Sequence, residues 1–219
     1  MIRRISTLVI VAGIGLLAWT GTVYVWKDPF TAAYTAFEQR RLESSLERTF
    51  DEWRPVAPPT ETPTVTDTVD VHREANAYRA AIGPGDAVAR LEIPVLDLDV
   101  VVVNGTDAGS LRRGPGRHLD TWMPGAGELV YIAGHRTTYG APFSHIDELS
   151  RGDKIFVELP YATIEYRVTE KRIVDQYELS VLKSRGREEL VLQACHPRFF
   201  ASDRYLVYAR PFQIVGKLA

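Results

Sequence analysis

The chain of 219 residues carries a formal net charge of −2, with 45% hydrophobic and 25% charged residues and one cysteine, Cys195. That balance, without a strongly basic patch, argues against a nucleic-acid partner, and a lone cysteine rules out an intrachain disulfide. The thiol is then either an inert core residue or one that some chemistry uses.

Arg3 and Arg4 precede an uncharged run over 5–26. As a helix, these roughly 22 residues span about 33 Å, close to the ~30 Å hydrocarbon thickness of a bilayer. Trp19, Tyr24 and Trp26 gather at its far end as an interfacial belt would, and the leading arginines predict a cytoplasmic N-terminus. The run exceeds the ~7–15 residue apolar core of a cleaved signal peptide and ends without a small-x-small site. An uncleaved single-pass anchor over 1–27 is expected, with the rest of the chain outside the membrane.

Asp28 and Pro29 read as the N-cap and first-turn proline of a helix over 28–53. Phe30, Tyr34, Phe37, Leu42, Leu46 and Phe50 fall near helical spacing, which predicts a stripe for a stalk, a dimer contact or packing on the domain. Residues 54–85 form a Pro- and Thr-rich linker with a short helix over 72–81 that stops at Gly83-Pro84-Gly85. Beyond residue 86 the texture becomes β. Runs at 88–93, 98–103, 128–134, 154–159, 162–175, 190–194 and 204–211 are rich in β-formers and bounded by turns. Seven or eight short strands with brief helices predict an all-β fold, a closed barrel over 86–219.

Three residues in the barrel carry candidate chemistry. His135 follows an apolar strand directly after Gly134, Cys195 ends another, and Arg204 opens the next. A thiol needs a base to become a nucleophile, and a guanidinium at the neighbouring strand end could stabilise an oxyanion. Each also has a structural reading: a half-buried imidazole, a packed core thiol, and a surface ion pair with Asp203. His145, His196 and His118 form no close ligand pair of the Cys-x-x-Cys or His-Glu-x-x-His kind, so no metal or cofactor is expected.

The longer motifs carry a resemblance. Gly105-Thr106-Asp107 with Leu111-Arg112-Arg113-Gly114-Pro115-Gly116, the run from Ala133-Gly134-His135-Arg136 through Thr137-Thr138-Tyr139-Gly140-Ala141-Pro142-Phe143, then Leu192-Gln193-Ala194-Cys195-His196-Pro197 and Asp203-Arg204-Tyr205-Leu206-Val207 resemble the sortase family. They are most like its class E branch, then class D and class C. The resemblance implies a membrane-anchored cysteine transpeptidase that cuts a C-terminal sorting signal of surface proteins between Thr and Gly. The signal would be of the Leu-Ala-x-Thr-Gly or Leu-Pro-x-Thr-Gly type. The new carboxyl would be joined to an amine of a peptidoglycan precursor or a pilin.

By the same resemblance Cys195 is the nucleophile, His135 the general acid/base and Arg204 the oxyanion-positioning group. Tyr131, His118, Ala194 and His196 would contact substrate, although His118 could equally cap a loop. Ala194 stands where the family carries threonine, a departure that bears on rate or substrate preference. Two alternatives remain: a pilin polymerase of the class C kind, and a non-catalytic membrane-tethered barrel that keeps Cys195 only for packing. Asp28-Pro29-Phe30 resembles a class C lid, but its place beside the span favours helix capping.

Overall fold

In the computed structural model, which describes residues 2–26, 29–56 and 68–216, stretches rich in β-branched residues form eight strands. These are β1 (Ala87–Ile93), β2 (Leu98–Asn104), β3 (Gly116–Arg117), β4 (Leu129–Ala133), β5 (Lys154–Glu158), β6 (Ala162–Asp175), β7 (Glu189–His196) and β8 (Asp203–Gly216). They close into a barrel in the order β1-β2-β3-β4-β7-β8-β6-β5. The pairs β2/β3 and β4/β7 are parallel and the others antiparallel. The expected barrel is present, with eight strands. The two-residue β3 is too short to leave a period-two signal, which is why the sequence did not show it.

Alternation decides what fills the barrel. Leu91, Val130, Ile132, Ile164, Leu190 and Leu192 point inward and are fully or almost fully buried. Each such side chain contributes roughly 1.5–3 kcal/mol over its exposed state. Helix α3 (Thr68–Ala81) packs against this core through Val71, Ala75 and Tyr78, and the Tyr78 hydroxyl donates to the Val88 carbonyl at 2.8 Å. Gly125 permits that approach. It has φ +90°, and a Cβ there would lie 2.5 Å from Val71 Cγ1.

Helix α2 (Pro29–Glu52) lies along the outside of β1 and β2. Leu42 and Leu46 pack on Ala87, Val101 and Val103, with Phe50 at the margin. The first half of the expected stripe faces the other way: Phe30, Tyr34 and Phe37 are 72%, 46% and 58% exposed. The buried face there is Thr35 and Glu38, with Gln39 beside them, because it meets polar backbone. Beyond the short β3, the β2 edge pairs with no strand among the described residues. Gln39 serves instead, accepting from the Val101 N–H at 2.7 Å and donating to the Val101 carbonyl at 3.0 Å and the Arg113 carbonyl at 2.8 Å. Helix α4 (Ala108–Arg113), in the β2–β3 crossover, starts at Asp107, whose carboxylate accepts from the N–H groups of Gly109 and Ser110.

Helix α1 (Ile2–Trp26) is long and apolar enough to cross a membrane, and its window from Arg4 to Gly21 is wholly exposed. The Asp28 cap, the side chains of Tyr24 and Trp26, and linker residues 57–67 lie outside the described residues.

Candidate active site

Strand register brings the three candidate groups together. In the β7/β8 ladder Cys195 lies directly opposite Arg204. Strand β4 runs parallel to β7 up to the pair Ala133–Gln193, and Gly134 N–H then donates to the Gln193 carbonyl at 2.9 Å. His135 follows, level with Cys195 two residues beyond the paired ends. Alternation puts Cys195 and Arg204 on the outer face of the sheet, in line with Val191, Leu206 and Tyr208. On β4 the same face carries Leu129, Tyr131 and Ala133. Cys195 is partly exposed, unlike a packed core thiol.

Burial is the larger cause holding the His135 imidazole below its ordinary value, and the Arg112 guanidinium adds to it. The Tyr139 ring rests against His135, centroids 5.0 Å apart at 34°. Gly134 is required where it stands, since a Cβ would lie 2.5 Å from the Phe143 ring. Arg204 donates from Nη1 to the carbonyls of Ala201 and Asp203 at 2.8 and 2.9 Å, which fixes the guanidinium over the β7–β8 turn. Nε and Nη2 complete its five N–H donors. A nucleophile, a neutral base and a fork of donors on one face suit acyl transfer.

The remaining expected residues divide by strand face. Tyr131 lies on the same outer face as Cys195, with its phenol pushed up, by burial first and by Tyr208 second, against a lowering by Arg204. His118 packs edge-on against Tyr131 at 6.3 Å, and its Nδ1 accepts from the Asp120 N–H at 3.3 Å, so it both flanks that face and caps its turn. Ala194 and His196 must be corrected. Ala194 is fully buried in the barrel core, and period-two alternation turns its side chain away from the thiol. His196 is turned likewise. Its Nδ1 lies 3.1 Å from Arg136 Nη1 and its ring 5.9 Å from Tyr205.

Sequence reasoning assigned no role to Arg136. Its side chain is 4% exposed, yet its Nη1 donates to the Cys195 carbonyl at 3.3 Å and its Nη2 pairs with Asp147 at 2.8 Å. The guanidinium also stands 5.6 Å above the Tyr205 ring. A guanidinium has donors only, so His196 Nδ1 is the acceptor. The signal was present as parity: with His135 facing out, its neighbour had to face in.

A sortase-domain family model matches residues 91–212. The chain belongs to the sortase family. This sortase is 28% identical over 184 residues to Sortase D of Bacillus subtilis, across 82% of this chain and 90% of that protein. It is 33% identical over 155 residues to Sortase SrtE1 of Streptomyces coelicolor, across 62% of this chain and 44% of the relative. A Clostridium perfringens Sortase D5 transpeptidase shares the fold at a TM-score of 0.64 and 21% identity, over 80% of this chain and 98% of its own. Sortase E1 of Streptomyces coelicolor, solved with a tripeptide in the active site, matches at a TM-score of 0.58 and 28% identity, over 61% and 93% of the two chains. Similarity thus extends to both class D and class E. As a sortase the protein is a cysteine transpeptidase, and Cys195 is its one thiol.

Proposed function

We propose that this sortase is anchored by α1 with its N-terminus in the cytoplasm, and cleaves a sorting signal of the Leu-Ala-x-Thr-Gly or Leu-Pro-x-Thr-Gly type between Thr and Gly. It then joins the surface protein to an amine of a peptidoglycan precursor or a pilin. The observation that carries this reading is the register that sets Cys195 opposite Arg204 with His135 at the adjoining strand end.

His135 takes the thiol proton of Cys195, and the thiolate attacks the Thr carbonyl with formation of a C–S bond. The resulting oxyanion is held by N–H groups of Arg204. His135 delivers a proton to the Gly nitrogen as the C–N bond breaks, leaving a thioacyl enzyme and a free amine. The acceptor amine then loses its proton to His135 and attacks the thioester. The C–S bond breaks, and the thiolate is restored. Tyr131 and His118, on the same face, are placed to contact the peptide. Ala194 and His196 support the strand from its other face.

Full-length protein in detergent, given peptides with each signal with and without an amine acceptor, tests this reading. Cleavage that depends on Cys195 and yields the amine adduct is expected. Cleavage that persists in Cys195→Ala would sink it.

A further inference from the structure

We infer that Thr31 and Thr35 of the membrane-proximal helix are positioning residues for His135, a role that rests on the acid/base part proposed for that histidine. The two threonines stand one helical turn apart on α2. Thr31 Oγ1 accepts from the Tyr139 N–H at 2.8 Å, and Thr35 Oγ1 donates to the Arg112 carbonyl at 2.8 Å. Tyr139 is the residue whose ring rests on His135, and the Arg112 guanidinium, whose charge helps hold that imidazole below its ordinary value, stands 5.9 Å from the Tyr139 ring. One helix face therefore holds the backbones of both residues that front the catalytic base.

The loop needs such a hold. Tyr139, Gly140 and Ala141 are three consecutive residues with φ of 51°, 72° and 46°, and two of them carry a Cβ. Non-glycine residues stay in the left-handed region only where their surroundings over-determine it. Besides the Thr31 bond, the loop is tied by Ala141 N–H to the Thr138 carbonyl and by Phe143 N–H to the His135 carbonyl, at 2.8 and 3.0 Å. Those two bonds close the loop on itself; the Thr31 bond ties its tip to the helix. It is the tie that joins the helix directly to the residue whose ring rests on His135.

The test uses the full-length protein in detergent with a fluorogenic Leu-Ala-x-Thr-Gly peptide, or the Leu-Pro-x-Thr-Gly peptide if that is the one cleaved. Thr31→Val/Thr35→Val keeps the side-chain shape and removes both hydroxyls. A fall of about tenfold in kcat is expected, with KM held within about twofold, because binding is spared and orientation is lost. Thr31→Ser, which retains the hydroxyl, should keep the rate, whereas a merely space-filling role would spare valine and impair serine. Tyr139→Leu leaves the Thr31 bond to the backbone in place and should lose kcat to the same degree. Wild-type kcat in the double valine variant, or serine as impaired as valine, overturns the inference. His135→Gln run alongside tests the underlying reading separately: if it transfers at the wild-type rate, the role of His135 itself is wrong.

Discussion

Arg136→Met removes a buried cation and keeps most of its apolar stem. In the wild-type chain the guanidinium serves the Cys195 carbonyl, His196 Nδ1 and the Asp147 carboxylate. Breaking a buried charged arrangement from one side costs about 3–5 kcal/mol, because the partners left behind lose solvation and bonding together. Asp147 is 44% exposed, so water takes over its share, and the lower end, about 3 kcal/mol, applies. For a domain of this size a loss of about 3 kcal/mol lowers Tm by roughly 6–12 °C. The same guanidinium holds the carbonyl of Cys195 itself, so the thiol shifts with the strand end, and acylation should slow at least about tenfold. Thermal unfolding followed by circular dichroism reads the first effect, and the rate of acyl-enzyme formation with a sorting peptide reads the second. Arg136→Lys should fall between, since one ammonium cannot span three acceptors in a fixed fork. A Tm within about 2 °C of wild type, together with normal acylation, would refute the reasoning.

Arg204→Ala should slow acylation by about 10²–10³, the scale of one lost oxyanion donor, while iodoacetamide still labels Cys195. Loss of labelling would show that the arginine shapes the strand end instead. Burial, aided by Arg112, holds His135 below its ordinary value of 6.5, so the folded protein resists a proton that the unfolded chain accepts. Stability from this site is whole above that value and declines as the pH falls through it toward the folded pKa. His135→Gln should therefore lose less Tm than wild type on going from about pH 7.5 to about 5.5, and equal acid slopes would exclude the linkage. Ala194→Thr adds two heavy atoms, one of them a hydroxyl oxygen, to a fully buried core position and should cost about 1–3 kcal/mol, read as a lower Tm. An unchanged Tm would mean that the position is not closed within the core.

The candidate site was legible where local pattern carries it. Cys195, His135 and Arg204 each mark the end or start of an apolar strand, and strand ends are where polar side chains escape the core. Ala194 and His196 were misplaced because motif proximity was read without the alternation that turns neighbours to opposite faces. The aromatic residues of α2 were misread for a related reason. Helical spacing shows that Phe30, Tyr34 and Phe37 share a face, but not that the barrel presents bare backbone to the opposite one. There Thr35 and Gln39 are needed to satisfy carbonyls of the α4 segment and the β2 edge.

The sequence by itself determined a barrel of seven or eight short strands, an apolar N-terminal helix and Cys195 as the one thiol, because period, length and motif are local properties of the chain. Only the tertiary structure decided that β4 and β7 run side by side, that Arg136 reaches the Cys195 carbonyl, and that α2 reaches the loop fronting His135. The bond from Tyr139 to Thr31 joins residues 108 apart in sequence, and no spacing rule reaches that far. Such contacts arise where closing the barrel leaves backbone groups that must find partners, and the closed fold alone selects which residues supply them.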